Sequence, residues 1–132
     1  MNWLVISTLP HYLAAIPAHE HADYATLIIL SSTLSVCYNI FHEYGPLLTV
    51  LNYSSGLLWL WYDFAFAMKY EEIMNPILWG NLIVFLTYIS VGNDDEHAMW
   101  HLISAAKCFY IAALIRRHSR REKLRNRRYI YE

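Results

Sequence analysis

Positive charge is nearly missing from most of this chain. Of its ten Lys and Arg residues only Lys69 and Lys107 precede position 116, against nine acidic residues over the same stretch. Cysteine is equally sparse. Cys37 and Cys108 each sit inside an apolar run, which excludes a disulfide framework and suits two small core thiols. No internal repeat, inverted repeat or low-complexity stretch is visible, which argues against a solenoid and against a repeat-built transporter. No basic residue precedes the apolar run 4–16, so the start of the chain does not follow the signal-peptide pattern.

What the chain has in abundance is apolar sequence. At 132 residues it has the length of one domain, and its 57% hydrophobic content exceeds the usual globular share. The run 24–41 contains no charge, 47–68 contains only Asp63, 77–91 contains none, and 99–115 contains only Lys107. Several approach the roughly 20 residues that cross a bilayer core, and a soluble protein of this size could hardly hide four such runs at once. The expected fold is all-α, a multi-pass transmembrane bundle of about five membrane helices. The spans are expected near 4–17, 24–42, 47–69, 76–91 and 96–115, giving a bundle over 1–115 and a basic tail over 116–132. Asn75 before Pro76 suits a helix start with Pro at the first helical position. Asp94, Asp95 and Glu96 complement the dipole at the start of the last helix.

The other eight basic residues lie between Arg116 and Arg128, directly after the last apolar run. Positive residues beside a span mark the cytoplasmic side, so the C-terminus is expected there and, after five crossings, the N-terminus on the non-cytoplasmic side. The tail is first a topology signal and secondarily an attractor of anionic headgroups. Because it abuts a span rather than a folded basic surface, nucleic acid is not an expected partner.

Polar residues inside the apolar runs carry the chemistry. His97 and His101 stand at i and i+4 where the last apolar helix begins, a spacing that puts two imidazoles on one face. His42 ends the second segment on the same side under the predicted topology. Three histidines at one level are a usual recipe for a catalytic zinc with a fourth position for water. Ser35, Asn39 and His42 fall on one stripe of their helix. Asp63, the one acid within a long apolar run, is a functional candidate by default and suits a general base beside a metal-bound water. For Ser35 and His42 the alternatives are a satisfied helix carbonyl and an interfacial cap. His11, His19, His21 and His118 are expected in or near loops or the tail, solvated.

The motifs Ser35-Val36-Cys37-Tyr38, Asp63-Phe64 and His97-Ala98-Met99-Trp100-His101 resemble the CREST superfamily of membrane hydrolases, which includes the alkaline ceramidases and the progestin and adipoQ receptors. With Leu9-Pro10 and the turn near Gly45, the likeness is nearest the myomaker-like branch. The resemblance implies a seven-helix membrane hydrolase with zinc on three histidines, assisted by a Ser and an Asp. Carried over, His97 and His101 match two ligands, Ser35 the serine and Asp63 the acid. The chain departs from that pattern in three ways. Asn39 stands four residues after Ser35, where the first ligand belongs, so His42 must substitute. About two helices are missing between Asp63 and His97. A helix starting near Leu47 carries Asp63 roughly 24 Å along, too deep to meet the histidines unless 46–55 is an outer loop.

Two functions follow as expectations. The first is a zinc-dependent intramembrane hydrolase of a lipid amide or ester, with zinc on His97, His101 and His42, Asp63 activating water and Ser35 polarising the carbonyl. The second is a non-catalytic multi-pass membrane protein: a degenerate family member, a membrane-remodelling factor or a small subunit of a membrane complex. Expected partners are membrane lipids and either further copies of the chain or partner membrane subunits.

Overall fold

A computed structural model of the chain describes residues 3–41 and 45–131, with side chains through Arg128. All regular structure among them is helical. The order is α1 (Trp3–Thr8), a 3₁₀ segment (Leu9–Ala14), α2 (Ala15–Ala18), α3 (Ala22–Phe41), α4 (Pro46–Lys69), α5 (Glu71–Ile89) and α6 (Asp94–Tyr131). The first three pieces run on as one apolar stretch, Trp3–Ala18, so the chain forms five rods.

Local chemistry explains the breaks. Pro10 has no amide hydrogen, so the α-helical ladder of the first rod lapses into 3₁₀ geometry there. The chain enters α4 through Gly45, whose φ of 126° is open to glycine but strained for other residues, and Pro46 takes the first helical position. At the start of α6 the Glu96 amide donates to Asn93 Oδ1 (2.9 Å) and the Gly92 amide donates to Glu96 Oε2 (2.7 Å). This reciprocal cap, with three acids in the first turn, fixes the last helix start close to its expected place.

Two boundaries differ from expectation. Pro76 is not at a helix start: α5 begins at Glu71, and Pro76 lies one turn inside it. Glu71 and Glu72 favour the dipole of that first turn, and the proline removes only one backbone bond so near the end. The basic tail is not a separate unit either, because α6 continues without a break through 38 residues.

The rods close into a ring. The N-terminal rod packs on α3 and α6, α3 on α4, α4 on α5, and α5 on α6. Reading antiparallel neighbours in order puts the starts of α1, α4 and α6 at one end, with the ends of α3 and α5. The basic half of α6 marks the other end. There Glu20 pairs with Arg116, Arg120 and Lys123, Lys69 pairs with Glu122, and His118 Nδ1 lies 3.3 Å from Glu72.

An apolar core that includes Tyr24, Ile28, Ile73, Ile77, Ile111 and Ile115 is joined by buried polar side chains, and large apolar side chains also cover the outside. Ser31, Ser32, Asn39, Ser55, Asp63, His101 and Ser104 are buried, whereas Leu47, Leu57, Trp61, Met68 and Ile89 are each more than 60% exposed. Three rods, α3, α5 and the Asp94–Arg128 part of α6, are both long and apolar enough to cross a membrane. The N-terminal stretch is apolar but short. The 24-residue α4 is long enough, but Asn52, Ser54, Ser55, Asp63 and its Tyr and Trp side chains lower its hydropathy.

Candidate functional site

The ring surrounds a chamber of about 610 Å³ to which the N-terminal rod and α3 to α6 all contribute. Its α3 wall is a hydroxyl and amide stripe of Ser31, Ser32, Ser35 and Asn39, the face on which Ser35 and Asn39 were expected to coincide. Asn39 Nδ2 donates to Thr8 Oγ1 (3.0 Å), tying the stripe to the first rod. Between α4 and α5 the chamber reaches the outside, since Leu57 and Phe85 line it while being 67% and 60% exposed. Above that opening the hydroxyls of Tyr53 and Tyr88 meet at 3.1 Å.

His97 and His101 both face the chamber, as one face of α6 dictates. Their rings lie nearly parallel, with centroids 4.7 Å apart and planes inclined by 16°. The third imidazole is His11, which was expected to be solvated and is instead buried in the chamber. The 3₁₀ turn after Pro10 sets it at 5.8 Å and nearly perpendicular to His101. His11 Nδ1 lies 3.0 Å from the Thr8 carbonyl. A carbonyl only accepts, so Nδ1 carries the proton and a neutral ring keeps its Nε2 lone pair free. His101 Nε2 is buried and has no hydrogen-bond partner. Two other histidines also depart from expectation: His21 is half-buried against Phe66, and His118 is mostly covered where it meets Glu72. His42 lies outside the described residues.

Asp63 sits deeper. Because Pro46–Lys69 is helical throughout, no outer loop shortens the path to it. Its Oδ1 accepts from the Tyr24 hydroxyl (2.6 Å), and its Oδ2 accepts from Asn81 Nδ2 (3.3 Å) and faces Lys107 Nζ at 3.8 Å. Lys107 also donates to Asn81 Oδ1 (2.9 Å), and Trp59 Nε1 donates to the Tyr24 hydroxyl (3.3 Å). Lys107 and Asn81 line the chamber, so this network forms its base. Lys107 follows His101 by six residues, about 9 Å along the helix. The imidazoles and the carboxylate therefore occupy separate levels.

The zinc set that the resemblance implies includes His42, which lies outside the described residues, and of that set the described residues hold only His97 and His101. A tetrahedral zinc needs three lone pairs converging at about 2.0–2.1 Å, whereas stacked rings direct theirs side by side. Among the described residues no three of His, Cys, Asp and Glu are arranged to hold a metal ion. What the chamber does offer is hydroxyls, amides and imidazoles set among apolar side chains such as Leu57, Leu60, Val84 and Phe85, above one internally balanced ion pair. Lys107, Tyr24, Asn81 and His11 were not among the predicted site residues. The signal for Lys107 was present: the one base in its apolar run answers the one acid in another.

No family model matches the chain, nor does any curated protein or solved structure. The resemblance to the CREST superfamily therefore rests on the sequence motifs.

Proposed function

We propose that this chain is an integral, multi-pass membrane protein whose ring of helices receives the polar part of a membrane lipid without hydrolysing it. The observation that carries the reading is the combination of large apolar side chains exposed on the outside with hydroxyl, amide and imidazole groups turned into the chamber. Such an arrangement is costly in water and favourable in hydrocarbon, where internal polar groups must find internal partners. The basic end of α6 is cytoplasmic and the N-terminus non-cytoplasmic, with the short first rod and α4 completing the five crossings. A chamber of this volume suits a lipid's polar linkage, and the gap between α4 and α5 admits it from the side.

Expression in cells followed by carbonate extraction tests the membrane half of this reading, and protein released into the soluble fraction refutes it. Purified protein should then retain a short-chain fluorescent lipid amide, and Ser35→Leu with His11→Phe, which fill the chamber, should abolish retention. Equal retention by the filled variant sinks the chamber as the binding place.

A zinc-dependent hydrolase of a lipid amide or ester is the second reading. What favours it is that His11, His97 and His101 face one chamber and that His101 Nε2 has no partner. Dialysed protein should then carry about one zinc per chain, as a single three-ligand site requires, and lose it in His101→Ala. Well-folded protein free of zinc eliminates this reading and leaves the first.

A further inference from the structure

A second hollow lies on the outer face of the bundle, far from the imidazoles, where α2 meets α6. It measures about 420 Å³. Ile16 and Pro17 of α2 with Phe109 and Ala113 of α6 form its apolar half, and Arg116, Arg117 and Arg120 form the other. Along α6 these residues fall at offsets of 0, 4, 7, 8 and 11 from Phe109, one face of a helix. The groove therefore changes from apolar to basic along its own length, at the point where the uncharged stretch of α6 ends.

The basic half is built rather than merely crowded. Glu20, from the turn after α2, lies 3.4 Å from Arg116 Nε and 2.5 Å from Arg120 Nε through Oε1, and 3.6 Å from Lys123 Nζ through Oε2. One carboxylate thus orients two of the three groove arginines while neutralising a single charge. Arg117 is in no ion pair among the described residues, so the three groove arginines less Glu20 leave a surplus of two positive charges, and Lys123 beside them adds a third. The hydrogen bond from Arg120, supported by Lys123 and Arg116, holds the Glu20 carboxyl below its ordinary range and so keeps it charged at neutral pH.

We infer that this groove binds one anionic phospholipid, with an acyl chain along Ile16, Pro17, Phe109 and Ala113 and the phosphate under Arg116, Arg117 and Arg120. The inference rests on the membrane reading above. Charge complementarity selects an anion, and guanidinium groups match phosphate oxygens in a planar, two-pronged way. The apolar half selects an anion that carries a hydrocarbon chain. A free phosphate would leave Ile16 and Phe109 unused. Glu20 is a positioning residue: it touches no lipid and holds Arg116 and Arg120 over the groove.

The experiment uses the full chain in phosphatidylcholine vesicles containing a minor share of phosphatidylglycerol, followed by gentle extraction and native mass spectrometry. Wild type is expected to retain one phosphatidylglycerol in strong preference to phosphatidylcholine. Arg117→Gln and Arg120→Gln should each weaken that retention roughly fivefold, the effect of one basic residue at an anionic surface. Ala113→Phe fills the apolar half without altering any charge and should abolish the retention altogether. Ile16→Trp, at an exposed position, repeats that test should Ala113→Phe fail to fold. Retention by both filled variants equal to wild type overturns the groove in favour of diffuse attraction. Inserted protein with no preference for the anionic lipid overturns the inference alone, whereas protein that carbonate strips from the vesicles overturns the membrane reading and the inference together.

Discussion

Two ionic assemblies occupy opposite settings in this molecule. At the base of the chamber, Asp63 is 1% exposed and meets Lys107 at 3.8 Å, with Tyr24 and Asn81 donating to the remaining lone pairs. At the basic end, Glu20 meets Arg116, Arg120 and Lys123, whose side chains are 31%, 54% and 61% exposed. The comparison shows how burial changes what a charge requires. Inside the ring, desolvation must be offset by complete hydrogen bonding, and one exact set of partners does so. At the rim, solvent and salt screen each contact, so several interchangeable cations share one acid and geometry is set by the group.

Removing one member of the buried pair should therefore have the largest effect. Lys107→Leu leaves the Asp63 carboxylate without its cation and is expected to destabilise the bundle by about 3–5 kcal/mol. Asp63→Leu combined with Lys107→Leu should recover most of that loss, because two apolar side chains need no partners. Equilibrium unfolding in mixed micelles measures both, and equal losses in the single and double variants would break the distinction between the two assemblies.

A smaller effect isolates the hydrogen bonds from the charge. Tyr24→Phe removes the donor to Asp63 Oδ1 and the acceptor for Trp59 Nε1 while leaving the ring in place. The expected loss is about 1–3 kcal/mol, the cost of buried polar groups left unpaired. No change in the same unfolding measurement would mean that Lys107 alone satisfies the carboxylate.

These two networks also show what a sequence reveals and what it withholds. Helix content, the acidic start of the last helix at Asp94–Glu96 and the pairing of His97 with His101 on one face depend on residues within a turn of each other, and all were legible. Asp63 and Lys107 were each conspicuous as single charges in apolar runs, but their pairing depends on α4 and α6 sharing one ring, and helical periodicity does not specify neighbours. His11 was missed for a different reason. It was expected to be solvated, in or near a loop, whereas the first span tightens into a 3₁₀ turn after Pro10 and keeps the imidazole inward. Pro76 misled as well, since a proline one turn inside a helix costs too little to stop it.

The smallest effect is expected at the rim, where acid separates the contributions by sign and window. The Glu20 carboxyl is held low by the Arg120 hydrogen bond, then by Lys123 and Arg116. Its stabilising contribution is complete above the ordinary carboxylate range and is lost as pH falls through its lowered folded value. Glu122, held low by Tyr70 and Lys69, behaves with the same sign. His21 also faces Lys123 and Lys69, and burial with those cations lowers its folded value, so stability begins to fall once pH drops below the ordinary histidine range near 6.5. A melting curve recorded from neutral to acid should therefore decline in two stages. Glu20→Gln should change the neutral melting temperature by a few degrees at most, leave the first stage in place and flatten the second. His21→Phe should shrink the first stage without changing the second. High salt should compress the Glu20 contribution while leaving the loss in Lys107→Leu unchanged, because only the exposed network is screened. A Glu20→Gln loss that rivals Lys107→Leu and resists salt would show that the rim is as desolvated as the chamber base, and the difference between the two settings would disappear.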